Sequence, residues 1–166
     1  MIAKSYIEGN LKEIERRFNK ARTQKEPLYF SKLAVLELCG WLEISIDDLV
    51  RRAVRKRVKD SRVFAKFDES VVNPVYGFHY KKHFRKMVCG AVGEVTMYDI
   101  ETKMDQLKRQ QLESELNALS VNRNTLAHTY LKGATQNIDG PSRTIARFHI
   151  TYDCLKEFER EIFARL

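Results

Sequence analysis

Residues 33–50 read LAVLELCGWLEISIDDLV, and the fold turns on this run. Apolar side chains fall on nearly every face of a helix drawn through it, and no proline interrupts it. A helix apolar almost all round belongs at the centre of a bundle. Glu43 breaks the pattern, sitting among Leu38, Cys39, Trp41, Leu42, Ile44 and Ile46. A carboxylate in that company is partly buried and needs a partner. Two readings stand open: a structural ion pair with an arginine, or a residue that orients a catalytic side chain. Gly40 costs helix propensity, and a close helix–helix approach would account for it.

The rest of the chain supports a helical reading. The three prolines, Pro27, Pro74 and Pro141, divide it. From Glu94 to Lys132 there is neither glycine nor proline, and strand signals are sparse. Helices are expected over 4–22, 30–60, 97–119, 120–132 and 151–165, the last with Thr151 as N-cap. VVNPVYGF in the segment 61–96 marks a turn, followed by a shorter helix near 79–90. TIARFHI (144–150) alternates and reads as extended. The expectation is an all-α bundle of four to six helices forming a single domain over 1–166, since 166 residues can bury a sizeable core.

Hydrophobic residues make up 43% and charged residues 31%, the balance of a soluble globular chain. No apolar run approaches the roughly 18 residues of a membrane span, and the charged N-terminus does not read as a signal peptide. Three widely spaced cysteines, Cys39, Cys89 and Cys154, read as reduced thiols in a cytoplasmic protein. The net charge of +8 is concentrated: residues 51–86 hold twelve Lys/Arg against three Asp/Glu. Arg51, Arg52, Arg55, Lys56, Arg57, Lys81, Lys82 and Arg85 form a patch suited to a polyanion, RNA first. The alternative is a solvated basic helix end, which the helix dipole favours anyway. Tyr76, Phe78, Tyr80 and Phe84 are candidates for stacking on bases, and equally for the core. His79 and His83 are four apart and could share one metal-binding face, but the basic segment YKKHFRK (80–86) beside them makes a poor metal site. No phosphate-binding glycine loop or nucleophile motif is legible, so no cofactor or metal is expected.

Near the end of the glycine- and proline-free stretch comes NRNTLAHTY (122–130). Asn124 and His128 share a helix face, with Arg123 about 140° from His128. Arg, Asn and His together suit a phosphodiester. Arg forks onto phosphate oxygens, and His moves protons near neutral pH. RNA carries its own nucleophile, the 2′-OH. Arg143 and His149 form a looser pair, six apart, in the tract read as extended, and serve as a decoy.

RNTLAH resembles the Arg-Asn-x-x-x-His form of the motif of the HEPN superfamily, helical bundles of which many are metal-independent endoribonucleases. LELCGWLEISIDDLV resembles the central helix of its RiboL-PSP-like branch, and the order of elements is similar over roughly 28–166. The resemblance implies that Arg123 polarises the scissile phosphate, that His128 acts as general base or acid, and that Asn124 positions one of them. Glu43 would support them. It also implies a two-fold homodimer with a composite site, 2′,3′-cyclic phosphate and 5′-hydroxyl products, and the role of a toxin or antiviral effector with an antitoxin or regulatory partner. Tyr130, in His-x-Tyr, matches a tyrosine that is adenylylated in some HEPN toxins; it can also be a plain packing aromatic. The alternative is a non-catalytic module that binds RNA or nucleotide, or a dimeric adaptor.

Overall fold

The computed structural model of the chain describes residues 1–131 and 137–166. Among these it is all helical: α1 Ser5–Asn19, α2 Glu26–Arg57, α3 Ser61–Phe67, α4 Arg85–Val92, α5 Glu94–Lys103, α6 Gln106–His128 and α7 Pro141–Phe163. Two π-helical turns, Asp68–Val72 and Tyr80–Phe84, complete the middle of the chain. That is more helices than the four to six expected. None of the described helices is long and apolar enough to cross a membrane.

The central position of α2 follows from its sequence. Ala34, Val35, Leu38, Cys39, Leu42, Ile46, Leu49, Val50 and Ala53 are all buried, at three- and four-residue spacings. This wide stripe meets α1, α4, α6 and α7. Leu11 of α1, Leu112, Leu116 and Leu119 of α6, and Phe148, Leu155 and Phe158 of α7 close the core around it. Trp41 is edge-on to Phe148 at 5.2 Å, and its indole N–H donates to the Ala3 carbonyl at 2.9 Å. Gly40 is not a point of close approach. A methyl group built there would meet nothing within 4 Å.

Four sequence expectations are corrected. The tract 144–150 is helical, not extended, and Thr151 lies well inside α7 instead of capping it. Thr144, Phe148, Thr151, Leu155, Phe158 and Ile162 are all buried, at spacings of four and three, so the helical period outweighs the apparent alternation. Pro141 starts the helix at a position where its missing N–H costs nothing. The Thr151 hydroxyl donates back to the Arg147 and Phe148 carbonyls at 2.9 and 3.0 Å.

The helix break expected between 119 and 120 falls instead at Met104–Asp105. Met104 is buried and extended, and the Asp105 carboxylate caps α6 by accepting from the Lys108 N–H at 3.0 Å. Nothing breaks α6 between 119 and 120, and it stops at His128, with Thr129 extended. The expected helix to 132 therefore ends four residues early; Lys132 itself lies outside the described residues.

Candidate functional site

Arg123 on α6 and Glu43 on α2 are eighty residues apart in sequence, and the packing of α2 on α6 makes them partners. Arg123 Nη2 lies 3.3 Å from Glu43 Oε1, with the side chains 34% and 29% exposed. Arg123 Nη1 donates to Asn124 Oδ1 at 3.2 Å. Yet Glu43 Oε1 is buried and accepts no hydrogen bond, so its contact with Arg123 is a pairing of charges without a seated bond. A guanidinium carries five N–H donors, and these two contacts leave Arg123 donors to spare.

The pair opens on a cleft of about 290 Å³. Its α2 wall is Glu43, Ile44 and Asp47. Its opposite wall is Val72, Asn73, Val75, Tyr76 and Gly77, with Arg123 between. The loop wall is built locally. The Asn73 and Val75 amides donate to Asp68 and Val72 carbonyls at 2.8 and 3.0 Å. Gly77 takes φ +125°, which favours glycine, and a Cβ there would lie 3.1 Å from the His83 ring. The His79 amide donates to His83 Nδ1 at 3.2 Å. The two histidines expected to share one face thus close a turn, and burial first, then His79, holds the His83 pKa below its usual value.

Burial pushes the Asp47 carboxyl up to about 6, against Arg51 and with the help of Glu43 and Asp68. Arg51 is held by Asp68 at 2.6 Å, by Asn73 Oδ1 at 3.2 Å and more loosely by Asp47 at 3.7 Å. Sequence reasoning did not single out Asp47. Its signal was present: it is the next carboxylate one turn beyond Glu43 on the same helix.

His128 is elsewhere. It is the last residue of α6, exposed, and the cleft lined by Arg123 does not include it. Asn124 is exposed too. Just beyond the helix, Lys32 Nζ of α2 donates to the Thr129 carbonyl at 2.7 Å, and the Thr129 hydroxyl donates to the Thr125 carbonyl at 2.7 Å. Tyr130 follows, exposed, past the end of α6. One chain therefore joins Arg123, Asn124 and Glu43, and leaves His128 on an open surface. The decoy Arg143 is paired with Asp139 at 3.1 Å.

Much of the basic patch is already neutralised. Arg52 pairs with Asp48 and Glu159 at 2.8 and 2.7 Å, Lys81 with Glu113 at 3.1 Å, and Arg85 with Glu94 and Glu101. Arg55 lies over the Phe64 ring at 4.5 Å, Lys56 near the Phe163 ring at 5.6 Å, and Arg57 donates to the Arg165 carbonyl at 3.1 Å. Among the described residues, no carboxylate lies within ion-pair distance of Arg55, Lys56, Arg57 or Lys82. Of the four aromatics considered for stacking, Phe78, Tyr80 and Phe84 are core residues. Only Tyr76, 84% exposed, faces solvent.

Fold and cleft together define an all-helical bundle with an arginine–carboxylate cleft where its central helix meets α6. Comparison with protein-family models, with curated proteins and with solved structures finds no match.

Proposed function

We propose that the chain is a metal-independent endoribonuclease of HEPN type that works as a two-fold dimer. The observation that carries this reading is Arg123, anchored by Glu43 and Asn124, lining a cleft and keeping donors to spare. Those donors suit the non-bridging oxygens of a phosphodiester. The 2′-OH attacks phosphorus in line, the bond from phosphorus to the 5′-oxygen breaks, and Arg123 stabilises the charge that builds on the phosphate. One imidazole takes the 2′-OH proton, and a second gives a proton to the departing 5′-oxygen. One chain offers a single His128. His128 of the partner subunit supplies the other, and its exposure at the end of α6 makes it reachable across a dimer axis. The products are a 2′,3′-cyclic phosphate and a 5′-hydroxyl, and the setting is a toxin or antiviral effector restrained by a partner protein.

A second reading has an observation of its own. His128 lies outside the cleft, so within one chain its imidazole and Arg123 do not share it. That favours a non-catalytic module binding RNA or nucleotide. Incubating the purified protein with end-labelled RNA in EDTA decides between them. Cleavage to cyclic phosphate ends supports the nuclease; binding without cleavage supports the module.

A further inference from the structure

We propose that the cleft beside Arg123 is a guanine subsite, seating the base on the 5′ side of the phosphate that Arg123 contacts. This deepens the ribonuclease reading and rests on it. The occupant is read from the cleft's chemistry. Two carboxylates against one guanidinium repel a phosphate, so the phosphate stays on the exposed side of Arg123, whose side chain is 34% accessible. The cleft interior calls for hydrogen-bond donors, since an ionised carboxylate only accepts. Asp47 shows the need: it lines the cleft, its side chain is 30% exposed, and its contact with Arg51, at 3.7 Å, is too long for a hydrogen bond.

Among the four bases, guanine presents two adjacent donors, N1–H and N2–H, on one edge. Adenine and cytosine place a ring acceptor beside their single amino group, which an ionised carboxylate disfavours. Asn73 supplies the complement. Its Oδ1 already accepts from Arg51 at 3.2 Å, so its amide N–H groups remain to donate to guanine O6. Tyr76, exposed on the same loop, offers a ring face for stacking. The volume of about 290 Å³ lies just below the roughly 300–1,000 Å³ of small-molecule sites, which suits one base. Asp47 faces Arg51, Glu43 and Asp68, and burial raises its pKa to about 6. At neutral pH it is largely ionised and able to accept; below about 6 it protonates and the discrimination fades.

The test is a calorimetric titration of the intact protein with 3′-GMP, 3′-AMP, 3′-CMP and 3′-UMP at pH 7.5 and pH 5, with 5′-GMP as the control for placement. We expect 3′-GMP to bind roughly tenfold or more tighter than the others, as one good bidentate edge contact allows, with the margin shrinking at pH 5. Asp47→Asn should erase the margin. Tyr76→Ala should weaken every nucleotide about tenfold, while Tyr76→Phe keeps binding. Because Tyr76 is exposed, that pair reports even if the Asp47 variant misfolds. Absence of binding, equal affinity across bases, or an unchanged margin in Asp47→Asn overturns the subsite. Tighter binding of 5′-GMP than 3′-GMP overturns its placement and assigns a free-nucleotide site. The two hypotheses fail separately. Selective 3′-GMP binding without RNA cleavage sinks the nuclease and keeps the subsite. Cleavage with no enrichment of guanosine on the 5′ side of the cut sinks the subsite alone.

Discussion

Replacing Arg123 by alanine separates a structural ion pair from a catalytic residue, because the two roles predict changes of very different size. The Arg123 and Glu43 side chains are 34% and 29% exposed. Their attraction is therefore partly screened, worth about 1 kcal/mol or less, as for surface pairs, and well short of the roughly 3–5 kcal/mol of a fully buried pair broken on one side. For a domain of this size, 1 kcal/mol lowers Tm by about 2–4 °C. Loss of one electrostatic contact to the transition state costs on the order of 10²–10³ in rate. Arg123→Ala should thus lower Tm by a few degrees by calorimetry and abolish cleavage of a labelled RNA. The double variant Glu43→Gln/Arg123→Ala should recover most of the lost Tm and none of the activity. Activity within a few-fold of the parent refutes the catalytic role. A fall in Tm of about 10 °C or more, with cleavage lost only through unfolding, refutes it as well.

His128→Ala should abolish cleavage with Tm unchanged, because the side chain is exposed, whereas Arg143→Ala and His149→Ala should cleave normally. Asp47→Asn should raise Tm at pH 7: with the folded pKa raised to about 6, ionised Asp47 costs stability as pH rises from its unfolded value through 6. The gain should fade toward pH 4, and a Tm difference independent of pH would contradict the burial argument. Arg55→Ala and Arg57→Ala should each flatten the salt dependence of RNA binding by roughly 0.7–0.9 in log–log slope, while Arg52→Ala, which removes a partner of Glu159, should mainly lower Tm. Light scattering should give twice the chain mass at micromolar concentration; a fully active monomer would eliminate the composite site.

The central helix was legible because its apolar residues cover nearly every face. α7 was not. TIARFHI mixes two periods, and only the row Thr144, Phe148, Thr151, Leu155 continues far enough to reveal the helical one. The break at Met104–Asp105 carries no glycine or proline. It rests on an aspartate side chain turning back to an amide, which a search for breakers passes over. In the site, Glu43 was legible as a carboxylate that pairs with an arginine or supports Arg123, Asn124 and His128; that its partner is Arg123 while His128 lies apart is tertiary information. Periodicity and propensity likewise could not separate exposed Tyr76 from buried Phe78 two residues on.

The end of α6 carries a thermal consequence. The buried side chains of that helix are Leu112, Leu116 and Leu119; the two turns beyond them hold Arg123 and His128. Leu126 packs there only partly buried, and polar ties do the rest: Glu43 of α2 holds Arg123, and Lys32 of α2 holds the Thr129 carbonyl just past the helix. Segments held this way open at lower free energy than the body of a fold. Amides of 120–128 should exchange with deuterium sooner than those of 110–119, and the last turns should melt before the bundle does. Function would then be lost on warming while the bundle is still intact, and would return on cooling.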